Sequence, residues 1–294
     1  MSGKKDLPPT YTLIKKGKII VVLKEEYRET MLEMGIAKPG FFSTLPGEKS
    51  DRYYGRGALK TIVLVGKGNE RIVIRHYHRG GKIQKLTSDL YWGASRPLRE
   101  LWIGYQAMIK GIPTAEILAV RHNQIFWRFH RGDLVTKEIE NGKDLATYLK
   151  SLSQPLTLEK ILQKRKVIEV VGKLIRKMHD GGIFHGDLNL KNIVIQINDS
   201  QRIKGYILDF DKSFIKPNLS KNLRIRNLLR LNRSVEKFKA TGLPITRTDV
   251  LRFLISYYQD STDFKKLLKD LNYRYKKHVY YHQLGKKILN LWSF

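Results

Sequence analysis

Residues 185–195, HGDLNLKNIVI, place a carboxylate and a carboxamide five residues apart, directly ahead of a short apolar run. A second apolar run, GYILDF, follows the turn NDSQ and carries Asp209 near its end. The β-branched residues of both runs and the turn between them predict a β-hairpin. Because paired strands bring their outer ends together, Asp187, Asn192 and Asp209 are expected to converge at one rim.

These three oxygen-bearing side chains predict a phosphoryl-transfer site. Asp187 is expected to accept a proton from an attacking hydroxyl. Asn192 and Asp209 are expected to hold Mg²⁺ against a triphosphate. Kinases carry H-x-D-x-x-x-x-N and then D-F-x after a hairpin, and this chain carries HGDLNLKN and then DFD. His185 is expected to be structural, bonded to the backbone near Asp209.

The stretch upstream of this site predicts a β-rich lobe with one helix. TIVLV and RIVIRHY, joined by GKGNE, predict a hairpin, and AEILAVRHNQIFWRF and DLVTKEI predict two further strands. Between them, RPLRELWIGYQAMIKGI has helical spacing and is expected to stop at Gly111, ahead of Pro113. Its predicted apolar face is Leu98, Leu101, Trp102, Tyr105, Met108 and Ile109.

Four residues of this stretch are candidates for the nucleotide. Gly55 and Gly57 lie before the hairpin and are expected to cover phosphates. Arg75 ends the strand IVIR, where kinases end V-A-I-K. Glu100 lies in the first turns of the following helix, where it could pair with that cation. Each of these signals is weak by itself, and their order along the chain gives them weight.

The downstream stretch is mainly helical in pattern. DLATYLKSL and LEKILQKRKVIEVVGKLIRKMHDGG predict two helices. The second has one apolar face, formed by Ile168, Val171, Ile175 and Met178. From Lys212 onward the pattern predicts helices. The expected fold is therefore an α+β, protein-kinase-like, two-lobed fold, with an extension of unknown role at 1–50, an N-lobe at 51–139 and a C-lobe at 140–294.

The net charge of +29, from 56 Lys and Arg against 27 Asp and Glu, predicts polyanionic partners. The basic residues are spread along the chain, which disfavours nucleic acid as the partner and leaves an anionic membrane surface or a phosphorylated lipid. Cys is absent, which excludes disulfides and thiolate metal sites. The longest apolar runs, such as IIVVL, are far shorter than a membrane helix. The chain is expected to be soluble or peripheral.

Two departures from protein kinases indicate a different acceptor. Gly186 stands where protein kinases have the Arg that contacts an activation-loop phosphate. Only a few residues separate Phe210 from the next helical pattern, and no A-P-E follows. Both features disfavour a protein substrate and favour a small molecule or a glycolipid.

The segments RGALKTIVLVGKGNERIVIRHYHRGG, RPLREL, HGDLNLKNIVI, LDFDKS and NLLRLNRSVEKF together resemble the lipopolysaccharide kinases. The resemblance runs from about residue 52 to 240 and is strongest to those that act on 3-deoxy-D-manno-octulosonic acid (Kdo). It implies a protein-kinase-like fold that uses ATP and Mg²⁺ to phosphorylate a sugar hydroxyl of the lipopolysaccharide inner core. For Kdo the implied acceptor is the 4-hydroxyl, on a lipid A precursor.

The resemblance also implies residue roles. Asp187 would be the catalytic base, and Asn192 and Asp209 would hold Mg²⁺. Arg75 would stand in for the phosphate-pairing lysine of protein kinases, with Glu100 orienting it. An arginine at this position departs from protein kinases, although its planar fork still suits phosphate.

The remaining implied contacts concern adenine and the membrane. The hinge for adenine would lie near Glu138 and Ile139 and would use backbone groups. The implied partners are a Kdo–lipid A type glycolipid and the anionic cytoplasmic face of the bacterial inner membrane, with no nucleic acid and no protein partner expected. Residues 219–238 predict either an amphipathic helix on the membrane or beside the acceptor, or a C-lobe helix with its apolar face in the core.

Two rival functions stay open from the sequence. One is a kinase of the same scaffold with another acceptor, namely a core heptose, an aminoglycoside or a protein. The other is a basic membrane- or nucleic-acid-binding pseudokinase. A pseudokinase would usually lack Asp187, Asn192 or Asp209, and all three are present.

Overall fold

The computed structural model describes residues 7–46, 48–49, 59–64, 68–77, 89–93, 95–152 and 157–258. Strands predominate in the first half of these residues, with one long helix among them, and helices predominate in the second half. The order of the elements agrees with the predicted α+β class.

One antiparallel sheet organises the first half. Its strands are β1 (Tyr11–Lys16), β2 (Ile19–Lys24), β3 (Glu48–Lys49), β4 (Leu59–Leu64), β5 (Glu70–His76), β6 (Tyr91–Trp92), β7 (Ile117–Phe126) and β8 (Phe129–Lys137). Within the described ranges their order is β1-β2-β7-β8-β5-β4-β3, and β6 also pairs with β8. The hairpin predicted from TIVLV and RIVIRHY is confirmed as β4 and β5.

The N-terminal residues share this sheet. The hairpin of β1 and β2 pairs with β7 through β2. The short helices α1 (Arg28–Glu33) and α2 (Phe41–Thr44) follow. Met31 and Phe41 are buried in the same apolar cluster as Val21, Ile72 and Val135. The stretch predicted as an extension, 1–50, therefore contributes strands and core residues to the N-lobe where it is described.

Helix α3 (Arg96–Ile109) confirms the predicted helix, and Gly111 follows it with a φ of +65°, as its predicted role in stopping the helix requires. Its buried face differs from the prediction. Leu101 packs with the sheet, whereas Ile103 and Ala107 pack in the C-lobe core. Met108 and Ile109, which belong to the predicted apolar face, are exposed. A single apolar stripe does not describe α3 because the helix lies between two cores.

The C-lobe consists of helices and short strands. They are β9 (Lys143–Asp144), α4 (Leu145–Ser151), α5 (Leu158–Asp180), β10 (Ile183–Phe184), β11 (Ile193–Ile197), β12 (Ile203–Ile207), β13 (Phe214–Ile215), α6 (Lys221–Lys239) and α7 (Arg247–Tyr258). The two predicted helices and the hairpin around NDSQ are confirmed as α4, α5 and the β11–β12 pair. The predicted apolar face of α5 is buried.

Two local predictions were wrong. The turn between β7 and β8 lies at Trp127 and Arg128, with Trp127 at a φ of +43°, and not after Phe129. The residues after Lys212 do not enter a helix at once, because β13 first pairs with β10. The rings of Phe184 and Phe214 stack there at 4.7 Å. This pairing joins residues that are distant in sequence, so local pattern does not reveal it.

Helix α6 is apolar on one face only. Ile225, Leu228 and Leu231 are buried in the C-lobe core, which confirms the prediction of a C-lobe helix packed by its apolar face. Its exposed residues are Lys221, Asn222, Arg226, Arg233, Glu236 and Lys237. None of the helices in the described part of the chain combines the length and apolarity needed to cross a bilayer.

Candidate active site

The loop that follows β10 is organised around His185, which is fully buried. Its Nε2 lies 2.9 Å from the carbonyl oxygen of Leu208, and its Nδ1 lies 3.1 Å from the backbone nitrogen of Asp187. Nε2 therefore carries the proton and Nδ1 accepts. Burial lowers the pKa of His185 below its ordinary value, which keeps the ring neutral. This is the structural role expected from the sequence.

Two carboxamides fix the backbone of Asp187. The Nδ2 atoms of Asn189 and Asn192 each donate to its carbonyl oxygen at 2.9 Å. Asn189 also caps the short 3₁₀ helix Leu190–Asn192 with its Oδ1. The carboxylate of Asp187 stays 48% exposed. Because Nδ2 of Asn192 is used by the loop, its Oδ1 is the atom suited to hold a cation.

Asp209 lies beside Asn192 at one end of the β11–β12 hairpin. Ile193 pairs with Ile207, and the N–H of Leu208 donates to the carbonyl oxygen of Asn192 at 2.9 Å. Asp209 has a φ of +65°, a left-handed conformation that non-glycine residues seldom adopt. Such backbone strain is common at functional sites.

Arg75 connects three elements through its guanidinium group. Its Nη1 lies 3.0 Å from Oδ1 of Asp209. Its Nη2 donates to the carboxylate of Glu100 on α3 and, at 3.0 Å, to the hydroxyl of Tyr77. The Tyr77 hydroxyl donates in turn to Glu100. The structure thus brings Arg75, Glu100 and Asp209 together.

Arg75 lies between the carboxylates of Glu100 and Asp209, and their pKa values shift in opposite directions. Burial raises the pKa of Glu100 to about 7, although Arg75 opposes this shift. Burial also acts to raise the pKa of Asp209, but the charge of Arg75 outweighs it and holds that pKa below its usual range. Asp209 is therefore ionised near neutral pH, as a metal ligand must be.

The first turn of α3 also contacts the segment after β12. Nη1 of Arg96 lies 3.3 Å from Oδ2 of Asp211, and Nη2 of Arg99 donates to the carbonyl oxygen of Ser213 at 2.9 Å. Burial raises the pKa of Asp211, and the charge of Arg96 opposes that rise. The helix that carries Glu100 is thus anchored to the residues that follow Asp209.

Close packing explains why glycine replaces arginine at position 186. A Cβ at Gly186 would lie 2.3 Å from the carbonyl oxygen of Lys212. The N–H of Gly186 donates to Oγ of Ser213 at 3.1 Å. The loop and the DFDKS segment therefore pack backbone against backbone, and no side chain fits between them.

The described residues of RHYHRGG, namely Arg75, His76 and Tyr77, contribute to the N-lobe as well as to the site. Nδ1 of His76 lies 2.5 Å from Oδ1 of Asp133, and Nη1 of Arg121 lies 3.0 Å from Oδ2 of the same carboxylate. Burial opposes protonation of His76, but Asp133 raises its pKa. Asp133 is fully buried, and these contacts join β7 and β8 to the end of β5 that carries Arg75.

The remaining predicted contacts are described only in part. Gly55 and Gly57 lie outside the described residues. The N–H of Glu138 donates to the carbonyl oxygen of Arg71 at 2.8 Å, and its carboxylate lies 2.6 Å from Nε of Arg71. The carbonyl oxygen of Ile139 accepts from Gly142 at 2.9 Å. Hydrogen bonds to β5 thus hold the segment that follows β8. The N–H of Glu138 already donates to Arg71 and is not free to bind adenine.

Sequence reasoning missed several residues that contact the site, among them Asn189, Tyr77 and three residues of α6. Tyr77 follows Arg75 by two residues, directly after β5 ends at His76. In extended backbone this spacing puts both side chains on one face, which was an available signal. Asn227, Arg230 and Ser234 on α6 contact the loop 185–190. Their helical spacing could be read from the sequence, but the sequence does not show that this helix packs against the loop 185–190.

The donor set fits Mg²⁺. Asn192 and Asp209 offer a carboxamide oxygen and a carboxylate, which are hard oxygen ligands. No group of three or more His, Asp or Glu side chains that could hold a metal occurs among the described residues. A magnesium ion with two protein ligands would complete its shell with phosphate oxygens and water, as is usual for this ion at nucleotides.

A family profile and individual relatives place this chain in the same protein family. Residues 47–258 match the sequence profile of the lipopolysaccharide kinase (Kdo/WaaP) family. A 3-deoxy-D-manno-octulosonic acid kinase of Actinobacillus succinogenes is 33% identical over 219 residues, which cover 72% of this chain and 85% of that protein. A kinase of the same name from Mannheimia succiniciproducens is 34% identical, with 67% and 80% covered.

A solved structure supports the fold. The structure described as WaaP in complex with acyl carrier protein superposes with a TM-score of 0.59, covering 87% of this chain and 98% of that chain. The sequence identity of 17% means that this likeness concerns the fold alone. The predicted kinase-like, two-lobed α+β fold is confirmed.

Proposed function

Because this chain belongs to the lipopolysaccharide kinase (Kdo/WaaP) family and is an ATP-dependent phosphotransferase, we propose that it phosphorylates the 4-hydroxyl of Kdo on a lipid A precursor. The observation that carries this choice of acceptor is the similarity to Kdo kinases, at 33% and 34% identity over two thirds or more of this chain. The ordered loop around Asp187 supports a catalytic site in place of a degenerate scaffold.

In the proposed reaction the acceptor oxygen forms a bond to the γ-phosphorus while the bond between that phosphorus and ADP breaks. Asp187 accepts the proton that the sugar hydroxyl releases. Its backbone is held by Asn189 and Asn192, so the position from which the exposed carboxylate extends is fixed. Positioning of this kind supplies most of the catalysis in phosphoryl transfer.

The other site residues act on the nucleotide. We propose that Asn192 and Asp209 hold Mg²⁺, which would neutralise charge on the triphosphate. Arg75, whose Nη2 is held by Glu100 and Tyr77, would meet a phosphate oxygen with the second N–H of Nη1. The segment at Glu138 and Ile139, with Gly55 and Gly57, would complete the nucleotide site.

The place of action follows from the acceptor and the charge. A lipid A precursor is embedded in a membrane, and a chain of net charge +29 is attracted to an anionic surface. We propose that the protein works peripherally on the cytoplasmic face of the bacterial inner membrane, with the glycolipid as its partner.

The test is ATP-dependent phosphate transfer to a Kdo-bearing lipid A precursor by the wild type and Asp187→Asn side by side. We expect transfer by the wild type and a loss of about 10²- to 10⁴-fold in kcat for the variant, because general base catalysis contributes on that order. A precursor that carries 4-deoxy-Kdo should accept no phosphate, because it lacks the proposed acceptor hydroxyl.

Controls separate a lost base from a lost fold. Asp187→Asn should keep the urea midpoint and the ATP affinity of the wild type, because the Asp187 carboxylate is exposed. Equal transfer by both proteins would contradict the role of Asp187. If the folded, ATP-binding wild type transfers nothing to Kdo, the acceptor is wrong, and core heptose is the next to test.

A further inference from the structure

One face of α6 holds the loop that carries Asp187. Asn227 accepts from the backbone N–H of His185 at 3.0 Å and donates to its carbonyl oxygen at 2.8 Å. Seven residues later along the helix, Oγ of Ser234 accepts from the N–H of Leu190 at 3.2 Å. These three hydrogen bonds fix both ends of the loop against the helix.

Arg230 lies between these two anchors on the same helix. Its Nη1 donates to the carbonyl oxygen of Gly186 and lies 3.4 Å from Oδ1 of Asp187. Both contacts use one nitrogen, and the side chain stays 38% exposed. Within the described part of the chain, Nη2 and Nε of Arg230 have no protein partner. A planar fork next to the proposed base thus presents donors outward.

The charge beside Arg230 is unbalanced. Arg226, Arg233 and Lys237 lie four residues before, three after and seven after Arg230, so they share its face. All three are exposed, and among the described residues none of them forms an ion pair. The guanidinium group of Arg226 lies 5.6 Å from the ring centroid of Phe184, which fixes it near the same loop.

Other basic residues of this helix differ from this set. Arg224 lies 2.6 Å from Asp180, and Lys239 lies 3.6 Å from Glu236. Their charges are compensated locally. In the described part of the chain, the arginines of this helix without a carboxylate partner therefore lie on the same face as Arg230, next to Asp187. This arrangement suits the binding of an anion beside the attacking hydroxyl.

We propose that Arg230, flanked by Arg226 and Arg233, forms the acceptor subsite, where it binds an anionic group of the sugar lipid and presents a neighbouring hydroxyl to Asp187. This inference rests on the proposed function for the class of acceptor. The ligand is a carboxylate or a phosphate, because both match the fork of a guanidinium group.

The test is steady-state kinetics with the Kdo-bearing lipid A precursor for wild type, Arg230→Gln, Arg233→Gln and the control Arg247→Gln. Arg247 is an exposed arginine at the start of α7. We expect the KM for the acceptor to rise about tenfold or more in Arg230→Gln and less in Arg233→Gln, with the KM for ATP changed by less than about twofold. The control should match the wild type.

Altered acceptors identify the anion. If Arg230 binds the Kdo carboxylate, its methyl ester should cost the wild type the same factor as Arg230→Gln, and the variant should lose nothing further, because the two changes remove one interaction. If Arg230 binds a phosphate instead, a precursor that lacks the lipid A phosphates should cost the wild type the same factor as Arg230→Gln and should cost the variant nothing further. If the loss caused by Arg230→Gln multiplies with the loss caused by each altered acceptor, Arg230 binds neither anion and the proposed subsite is wrong.

A binding measurement needs no turnover. Binding of the same precursor in detergent micelles should be weakened in Arg230→Gln and kept in part by Arg230→Lys, which retains the charge without the fork. A fall in kcat and in melting temperature with unchanged acceptor affinity would mean that Arg230 is only a clamp on the loop. Arg233→Gln covers the case of an unfolded Arg230 variant, since Arg233 is exposed.

The two proposals fail in different ways. Transfer to Kdo by the wild type with no effect of Arg230→Gln on the acceptor overturns the subsite alone. Binding that depends on Arg230, without transfer, overturns Kdo phosphorylation alone. The absence of both binding and transfer in the wild type overturns both.

Discussion

At the scale of single residues, Arg75 is the centre of the site. Lysine would offer one ammonium group, whereas Arg75 contacts Asp209 with Nη1 and Glu100 with Nη2. Tyr77 adds a hydroxyl that bonds to Arg75 and Glu100. The arginine thus links Asp209, the proposed metal ligand, to α3, and this role depends on the geometry of its two nitrogens as well as on its charge.

The substitution Arg75→Lys tests this point. Lysine cannot reach Asp209 and Glu100 with two separate nitrogens, so we expect kcat/KM for ATP to fall by roughly 10- to 100-fold. Stability should fall as well, because a buried carboxylate loses a partner. Phosphate transfer and urea unfolding measure the two effects. A variant as active as the wild type would contradict the linking role, and Arg28→Lys at an exposed pair serves as the control.

At the scale of elements, the site depends on a junction of three helices. His179 at the end of α5 bonds through Nδ1 to the hydroxyl of Tyr257 on α7 at 2.6 Å, and through Nε2 to Oδ1 of Asn227 on α6 at 3.2 Å. That same Oδ1 accepts from the backbone of His185. The loop of Asp187 is therefore positioned by helix packing as well as by its own residues.

The charge state of His179 makes this junction sensitive to acid. Burial lowers the pKa of His179 from 6.5 to about 4. The unfolded chain thus binds a proton that the folded chain rejects between these two pH values. Its contribution to stability is present above pH 6.5 and is lost as the pH falls towards 4, by up to about 3 kcal/mol.

Unfolding by urea at pH 7, 6, 5 and 4 should show this loss in the wild type. His179→Gln should have a smaller decrease over the same range, because glutamine does not titrate. His122 has a pKa lowered to about 4 by burial and by His130, so His122→Gln measures its separate share. Parallel pH profiles for wild type and His179→Gln would contradict this account.

At the scale of the whole molecule, two cores meet through α3, and the chain carries a large positive charge. Leu101 of α3 packs with the sheet, and Ile103 packs with the C-lobe, so the helix that carries Glu100 is held by both lobes. The net charge of +29 is a property of the whole chain. It favours approach to an anionic surface.

Co-sedimentation with lipid vesicles tests the effect of charge. We expect binding to phosphatidylglycerol vesicles at about 50 mM salt, a large loss at roughly 500 mM, and little binding to phosphatidylcholine, because screening shortens the reach of surface charge. Binding that is equally strong at both salt concentrations would indicate apolar insertion, and would contradict a peripheral electrostatic association.

Local patterns in the sequence predicted most elements because their periods depend on neighbouring residues. The β4–β5 and β11–β12 hairpins and the buried face of α5 were predicted correctly. The pattern failed where distant residues decide. Pairing of β13 with β10 and the double packing of α3 both depend on partners far along the chain.

Sequence by itself determined the candidate catalytic residues and their order, because a hairpin flanked by Asp187, Asn192 and Asp209 needs only short-range spacing. Tertiary structure alone decided how they are held. Arg75 meets Tyr77, Glu100 and Asp209 only once α3 packs on the sheet. Arg230 reaches Asp187 only because α6 docks on the loop. Contacts between elements depend on packing, which no single segment encodes.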